Sequence, residues 1–292
     1  MNILISSNSE YIDKYETMLC SLRKHHQCDI TVYFLNYRVP VDIILQFKDN
    51  LKSKYEIELN VINVKDMGFE SFPLRLHLSI ETYFRVYAQF FMPVSVKRVL
   101  WLDADIIVLN SIIDFYNTDF ESNYYVVCAD RINHTESGEA LKANLNLPSD
   151  HIYFNAGVML MNIESLRQNT NIDSIATQCE ALKDKVKWLD QDLLNKIYCN
   201  NLKYAEADIY NYQLKSDTYI PKSSLSNIAI LHYNSPIKPW NYNEINPASV
   251  YYWRTKGSQG NKEKKEAKNI YKNKIIDSFS QLKDYVKGYF SI

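Results

Sequence analysis

Two aspartates one residue apart, Asp103 and Asp105, with Ala104 between them, directly follow the apolar run Arg98–Leu102 (RVLWL). A strand that ends this way delivers two carboxylates to the edge of a sheet. Hard divalent cations take oxygen ligands, and two neighbouring carboxylates can share one Mn²⁺ or Mg²⁺ that also grips a diphosphate. A capping aspartate next to a solvated one would produce the same pair, since carboxylates are mostly exposed. The strand-end position brings the two readings level, because open α/β sheets bind ligands beyond the C-terminal ends of their strands.

A second constellation lies far downstream, in LHYNSPIKPW. His232 closes the short apolar run before it, and a neutral imidazole there can serve as a third metal ligand. Lys238 follows six residues later with a compact positive charge suited to phosphate, and Pro236 and Pro239 stiffen the loop between. A buried, satisfied histidine and a solvated lysine are the commoner fate of either residue alone; the combination with Lys-Pro-Trp is much rarer. Two weaker signals complete the set. WLDQDLLN (188–195) places Asp190 and Gln191 at a helix start, where an N-capping aspartate is the plainer account. YFNAG (153–157) places Asn155, Ala156 and Gly157 before an apolar run, where small residues admit a ligand close to the backbone.

These residues need a scaffold, and the chain supplies an alternation of strand and helix patterns. NILIS (2–6), ITVYFL (30–35), ELNVINV (58–64) and RVLWL (98–102) read as strands, with helical spacing over 10–25, 41–54 and 79–91. That rhythm predicts βαβ units and a mainly parallel central sheet. Later strands are expected at 125–129, 157–161 and 228–231, and a helix from Asp190 to Tyr198. The 292 residues, 46% hydrophobic and 23% charged with six glycines and eight prolines, exclude a disordered or low-complexity chain. Five scattered cysteines show no zinc or redox spacing and read as reduced, buried residues.

The opening residues lack a signal peptide's basic segment, and no run approaches the roughly 20 apolar residues of a membrane span, so a cytoplasmic protein is expected. The net charge of −1 hides ten Lys/Arg against four Asp/Glu in residues 254–292. Positive charge confined to a tail, rather than spread on the folded body, argues against a nucleic-acid partner. The composition shift at GSQGN sets the expected boundary: a domain over 1–256 and a lysine-rich helical tail over 257–292. Ile275, Ile276, Phe279, Leu282, Val286 and Phe290 give that tail one apolar face. Such a helix lies peripherally on the inner face of an anionic plasma membrane, or packs on the domain or a partner.

Taken together, NILISSNSEY, ETYFRVYAQFF, RVLWLDADIIVL, YFNAGVMLMN, WLDQDLLN and HYNSPIKPW resemble, in order, the motifs of glycosyltransferase family 8. These are retaining enzymes that include bacterial lipopolysaccharide galactosyl- and glucosyltransferases and glycogenin. The resemblance covers about residues 1–245 and implies a Rossmann-like α/β domain of GT-A type that binds a nucleotide sugar. It implies that Asp103, Asp105 and His232 hold Mn²⁺ (or Mg²⁺) on the diphosphate of UDP-galactose or UDP-glucose, with Lys238 on the same diphosphate. Ser6, Ser7, Asn8 and Tyr11 would line the uridine site. Arg85, Asn155, Ala156, Asp190 and Gln191 would surround the sugar, with Asp130 near sugar and acceptor. The acceptor would be a saccharide, glycolipid or glycoprotein. The lipopolysaccharide enzymes usually carry Asp where Asn8 stands, Asn where Glu10 stands and often Gly where Ser235 stands.

Retention by double displacement would need a carboxylate nucleophile. The matching residue, Gln191, is an amide, which favours front-face transfer, with Asp190 in reserve for a covalent intermediate. A metal-dependent nucleotide hydrolase, a glycogenin-like self-glucosylating protein and a non-catalytic nucleotide-sugar-binding module are the alternatives.

Overall fold

The computed structural model describes residues 1–65, 80–214, 220, 222–241 and 248–257. Its centre is a seven-stranded sheet in the order β3-β2-β1-β4-β7-β6-β8. The strands are β1 (Asn2–Ser6), β2 (Thr31–Asn36), β3 (Glu58–Asn63), β4 (Arg98–Leu102), β6 (Tyr125–Ala129), β7 (Phe154–Asn162) and β8 (Leu202–Ala205). A smaller sheet joins β5 (Ile106–Val108), β10 (Ile230–His232) and β9 (Tyr212–Gln213) in the order β5-β10-β9. In the large sheet β7 runs antiparallel to both its neighbours, and the other four pairings are parallel. The mainly parallel α/β architecture expected from the sequence is the one observed.

Side chains alternate across a strand, and here both faces are covered, so the strands read as unbroken apolar runs. Ile3, Ile5, Leu100 and Leu102 point into one core with helices α1 (Ile12–His25) and α2 (Val41–Tyr55). Leu4, Val99 and Trp101 point into the other, against Tyr83, Phe84 and the helices over Ile172–Leu182 and Leu189–Ile197. All seven of these strand side chains are essentially inaccessible to solvent. Truncating one to alanine would cost about 2–5 kcal/mol.

Several boundaries differ from expectation for local reasons. Residues 79–91 were expected as one helix; Ile80–Tyr87 is a 3₁₀ helix continued by an α-helical turn over Ala88–Phe91, and Ser79 lies outside the described residues. The tighter coil buries both Glu81 and Arg85, the latter over the Trp101 ring. The strand expected at 157–161 begins three residues earlier, at Phe154. Its pairing with β6 slips between Val127 and Cys128, so that Asn155 pairs with Cys128 while Met159 pairs with Val127. Of the cysteines, Cys20, Cys128 and Cys179 are buried as expected, but Cys28 is exposed and Cys199 only partly covered; all are free thiols. Cys28 follows the end of α1 in the turn toward β2, where the chain crosses the surface. The tail beyond Gly257, with its expected amphipathic helix, lies outside the described residues. No described helix is long and apolar enough to cross a membrane.

Candidate active site

Three backbone segments set the centre of the site. β4 ends at Leu102, and Asp103 leaves it with its N–H still bonded to the carbonyl of Gly157 on β7 (3.0 Å). The chain turns through Ala104 into β5, whose antiparallel register places Ile106 opposite His232. The N–H of Tyr233 donates to the carbonyl of Asp105 (2.9 Å), extending that register by one step. Asp105 and His232, 127 positions apart in sequence, are thereby locked side by side. Ligand atoms of Asp103, Asp105 and His232 lie within 4.8 Å of one another, with His232 Nε2 3.2 Å from Asp105 Oδ1.

Gly157 makes this convergence sterically feasible. A Cβ at that position would stand 2.3 Å from His232 Cε1 and 2.9 Å from Asp103 Oδ2. The sequence reading gave the small residues of YFNAG to an approaching ligand; at Gly157 the protein's own imidazole and carboxylate fill that space. Two carboxylates and an imidazole nitrogen form a donor set suited to Mn²⁺ or Mg²⁺, and this cradle leaves them facing one another. The residues present fit such an ion.

The electrostatics are balanced by two cations. Lys238 Nζ lies 2.5 Å from Asp105 Oδ2 and donates to the carbonyl of Tyr233 (2.9 Å). Burial pushes the Asp105 carboxyl up, but Lys238 and His232 more than reverse this and hold it well below the usual carboxylate range. The loop carrying Lys238 is braced at the start of α1 by Trp240, whose ring meets that of the N-cap residue Tyr11 edge-on at 6.0 Å. On the other side, Arg85 contacts Asp103 (3.1 Å), Asp190 (2.9 Å) and the carbonyl of Ala156 (2.7 Å), its guanidinium 4.4 Å from the Trp101 ring. Trp101 Nε1 in turn donates to Asp103 Oδ1 (2.8 Å). Burial works against the Arg85 charge, and Asp103 and Asp190 outweigh it. Burial also pushes Asp190 up to about 6, against the pull of Arg85 and with the help of the Asp103 charge.

A cleft opens over this centre. Ser6, Ser7, Asn8, Tyr11, Tyr15, Glu81, Thr82, Arg85, Asp103, Ala104, Asp105 and Lys238 line it. All four residues assigned from the sequence to a uridine site are therefore on one wall. Ser6 Oγ is committed to the carbonyl of Leu35 (2.9 Å), and Asn8 Oδ1 accepts from the N–H of Glu10 (3.0 Å), opening the turn that leads into α1. Ser7 Oγ is buried and has no hydrogen-bond partner among the described residues.

The remaining candidates form a hydrogen-bonded group behind Arg85. Asn155 Nδ2 donates to Asp130 Oδ2 (3.0 Å) and Gln191 Oε1 (3.2 Å). Gln191 Oε1 also accepts from the N–H of Ala156 (2.9 Å), and Gln191 Nε2 reaches Asp130 (3.4 Å). The helix start was read with an aspartate cap, but Trp188 occupies the cap position and offers no side-chain bond. Asp192 reaches back instead, its Oδ2 accepting from the N–H groups of Lys187 (2.5 Å) and Trp188 (2.8 Å) while Tyr153 Oη donates to Oδ1. Leu189 turns the chain with a positive φ of 45°. That turn delivers Asp190 to Arg85 and Gln191 to Asn155. Sequence reasoning missed Asp192 and also Asn211, which bonds His232; the latter precedes a two-residue strand that leaves almost no periodic signal.

The model of glycosyl transferase family 8 matches residues 2–244. A putative glycosyltransferase of Haemophilus influenzae is 25% identical over 82% of this chain and 73% of its own length. The lipopolysaccharide 1,3-galactosyltransferase of Salmonella typhimurium is 29% identical over 71% of this chain and 63% of its own length. The chain spans 60% of glycosyltransferase GlyF of Streptococcus pneumoniae, at 26% identity over 86% of this chain. The solved structure of galactosyltransferase LgtC with donor and acceptor sugar analogs superposes with a TM-score of 0.77, at 23% identity, covering 88% of this chain and 96% of that one. The chain belongs to glycosyl transferase family 8 and is a glycosyltransferase.

Proposed function

We propose that the protein is a retaining hexosyltransferase that moves galactose or glucose from a UDP-sugar to a saccharide or glycoconjugate acceptor. The observation that carries this reading is the convergence of Asp103, Asp105 and His232 beside a cleft lined by the same two aspartates, Ser6, Ser7, Asn8, Tyr11 and Lys238. Those three residues would hold Mn²⁺ or Mg²⁺, which when bound neutralises diphosphate charge and improves the nucleotide as a leaving group. Lys238 adds a positive charge at the same place, and Ser7 lines the same cleft.

The sugar would rest among Arg85, Asp190, Asn155, Ala156 and Gln191, with Asp130 toward the acceptor. Gln191 Oε1 is already committed to two donors, which orients the amide and leaves it a poor nucleophile. That supports front-face transfer. The bond between the anomeric carbon and the phosphate oxygen breaks, the acceptor oxygen bonds to the same face, and its proton passes to the departing phosphate oxygen. Gln191 and Asp130 stabilise positive charge developing on the ring. The relatives named for lipopolysaccharide transfer support a glycoconjugate acceptor, and the basic tail supports peripheral contact with an anionic membrane.

A panel of UDP-sugars tested for Mn²⁺-dependent binding and slow hydrolysis decides the matter. The expected result is strong preference for UDP-galactose or UDP-glucose, lost in EDTA and restored by Mn²⁺. Equal turnover with and without chelator would reject the metal assignment, and a glycosyl adduct trapped on a side chain would reject front-face transfer.

A further inference from the structure

The metal-facing imidazole is held by a buried amide, Asn211, to which the proposed chemistry gives no role. His232 is 2% exposed, and its Nδ1 lies 2.8 Å from Asn211 Oδ1. Asn211 is 1% exposed, and its Nδ2 donates to Asn155 Oδ1 (3.0 Å). The orientation of both amides follows from one fixed donor. The backbone N–H of Gly157 bonds Asn155 Oδ1 (3.0 Å), so that atom is an acceptor. Asn155 Nδ2 then faces the Asp130 carboxylate, as a donor must. Asn211 must therefore present its NH₂ to Asn155 and its carbonyl oxygen to His232. A carbonyl oxygen only accepts, which requires the His232 proton on Nδ1 and leaves the Nε2 lone pair facing Asp103 and Asp105.

The alternative tautomer has its own attraction. With the proton on Nε2, His232 would donate to Asp105 Oδ1, 3.2 Å away, and would have no lone pair for an ion. We infer that Asn211 is the positioning residue that selects the metal-binding tautomer of His232, with Asn155 and the Gly157 N–H setting its amide. This rests on the proposed role of His232 as a metal ligand. Outer partners of ligating histidines typically govern affinity by 10–100-fold.

The test uses the full chain and two variants, Asn211→Leu and Asn211→Asp. The first removes the acceptor at nearly constant volume; the second keeps an acceptor for Nδ1. In metal-free protein at a pH where the ring is neutral, ¹⁵N NMR of the imidazole should show Nδ1–H in the wild type and in Asn211→Asp. Asn211→Leu should show Nε2–H. Mn²⁺ titration followed by electron paramagnetic resonance should show a 10–100-fold weaker Kd for Asn211→Leu and a nearly unchanged one for Asn211→Asp. An Asn211→Leu protein that keeps Nδ1–H and binds Mn²⁺ within twofold of wild type overturns the inference. Should Asn211→Leu not fold, the wild-type tautomer carries the test: Nε2–H there overturns it, and Nδ1–H upholds it. Wild type that shows Nδ1–H yet binds no Mn²⁺ refutes the proposed metal role and leaves the tautomer assignment standing.

Discussion

The two halves of the site are built in different ways. Asp103, Asp105 and His232 are positioned by backbone: the Asp103–Gly157 bond, the pairing of Ile106 with His232 and the Tyr233–Asp105 bond fix their Cα atoms before any side chain is considered. Asp130, Asn155 and Gln191 are positioned by one another, through side-chain amides and a carboxylate that share partners, with Asp190 held beside them by Arg85. The first kind of site loses a ligand when a side chain changes and keeps its shape. The second kind is cooperative, so that one deletion releases several neighbours.

Asp103→Asn breaks the comparison most severely if it behaves otherwise. The asparagine keeps the oxygen that accepts from Trp101, so the fold should survive while a charged metal ligand disappears. Mn²⁺-dependent turnover should fall about 10³-fold or more, near 4 kcal/mol, with unchanged circular dichroism. Near-normal turnover would count against the whole metal-centred reading.

Gly157→Ala attacks the same half through its backbone. The added methyl must displace the His232 ring or part β7 from β4. A loss of about 1–3 kcal/mol in urea unfolding is expected, together with roughly 100-fold weaker Mn²⁺ binding. Retention of both would mean that the ring moves freely and that strand register does not hold the ligands. Gln191→Ala then tests the other half. It frees the Ala156 N–H and one Asn155 contact, yet Asn155 stays anchored by Asp130 and Gly157. kcat should drop about 10–100-fold while the Mn²⁺ Kd stays constant. Parallel loss of Mn²⁺ affinity would show that the halves are not separable.

The backbone-built half was also the more legible in sequence. RVLWLDAD announces a strand ending in carboxylates, and HYNSPIKPW carries an unusual enough pattern to be matched at a distance. What could not be read was the long-range pairing that brings His232 across from Ile106, since β10 is three residues long and nothing local specifies its partner. The amide-built half was legible only through resemblance. Asn155 and Gln191 look like any polar loop residues, and Asp192 does its capping from inside the helix, where a cap is not sought. Arg85 was reached only through resemblance, and Glu81, buried in the same 3₁₀ coil, was not singled out.

Asp190 sits on the seam between the halves, and its protonation offers the smallest but most separable effect. Burial, opposed by Arg85 and aided by Asp103, pushes its carboxyl up to about 6 from the ordinary 3.8. An acid whose folded pKa is raised holds its proton longer in the folded protein than in the unfolded chain. Stability is thus unaffected by this group below about pH 4, falls as pH rises toward about 6, and stays lowered above it. A shift near two units corresponds to about 2–3 kcal/mol. Asp190→Asn removes that term while Arg85 keeps Asp103 and the Ala156 carbonyl. In urea unfolding with EDTA present, the variant should therefore gain about 2 kcal/mol on wild type between pH 4 and pH 8, even as transferase activity declines. A constant difference between the two proteins across that range would show that Arg85 fully compensates the buried charge, and that Asp190 belongs energetically to the rigid half rather than the cooperative one.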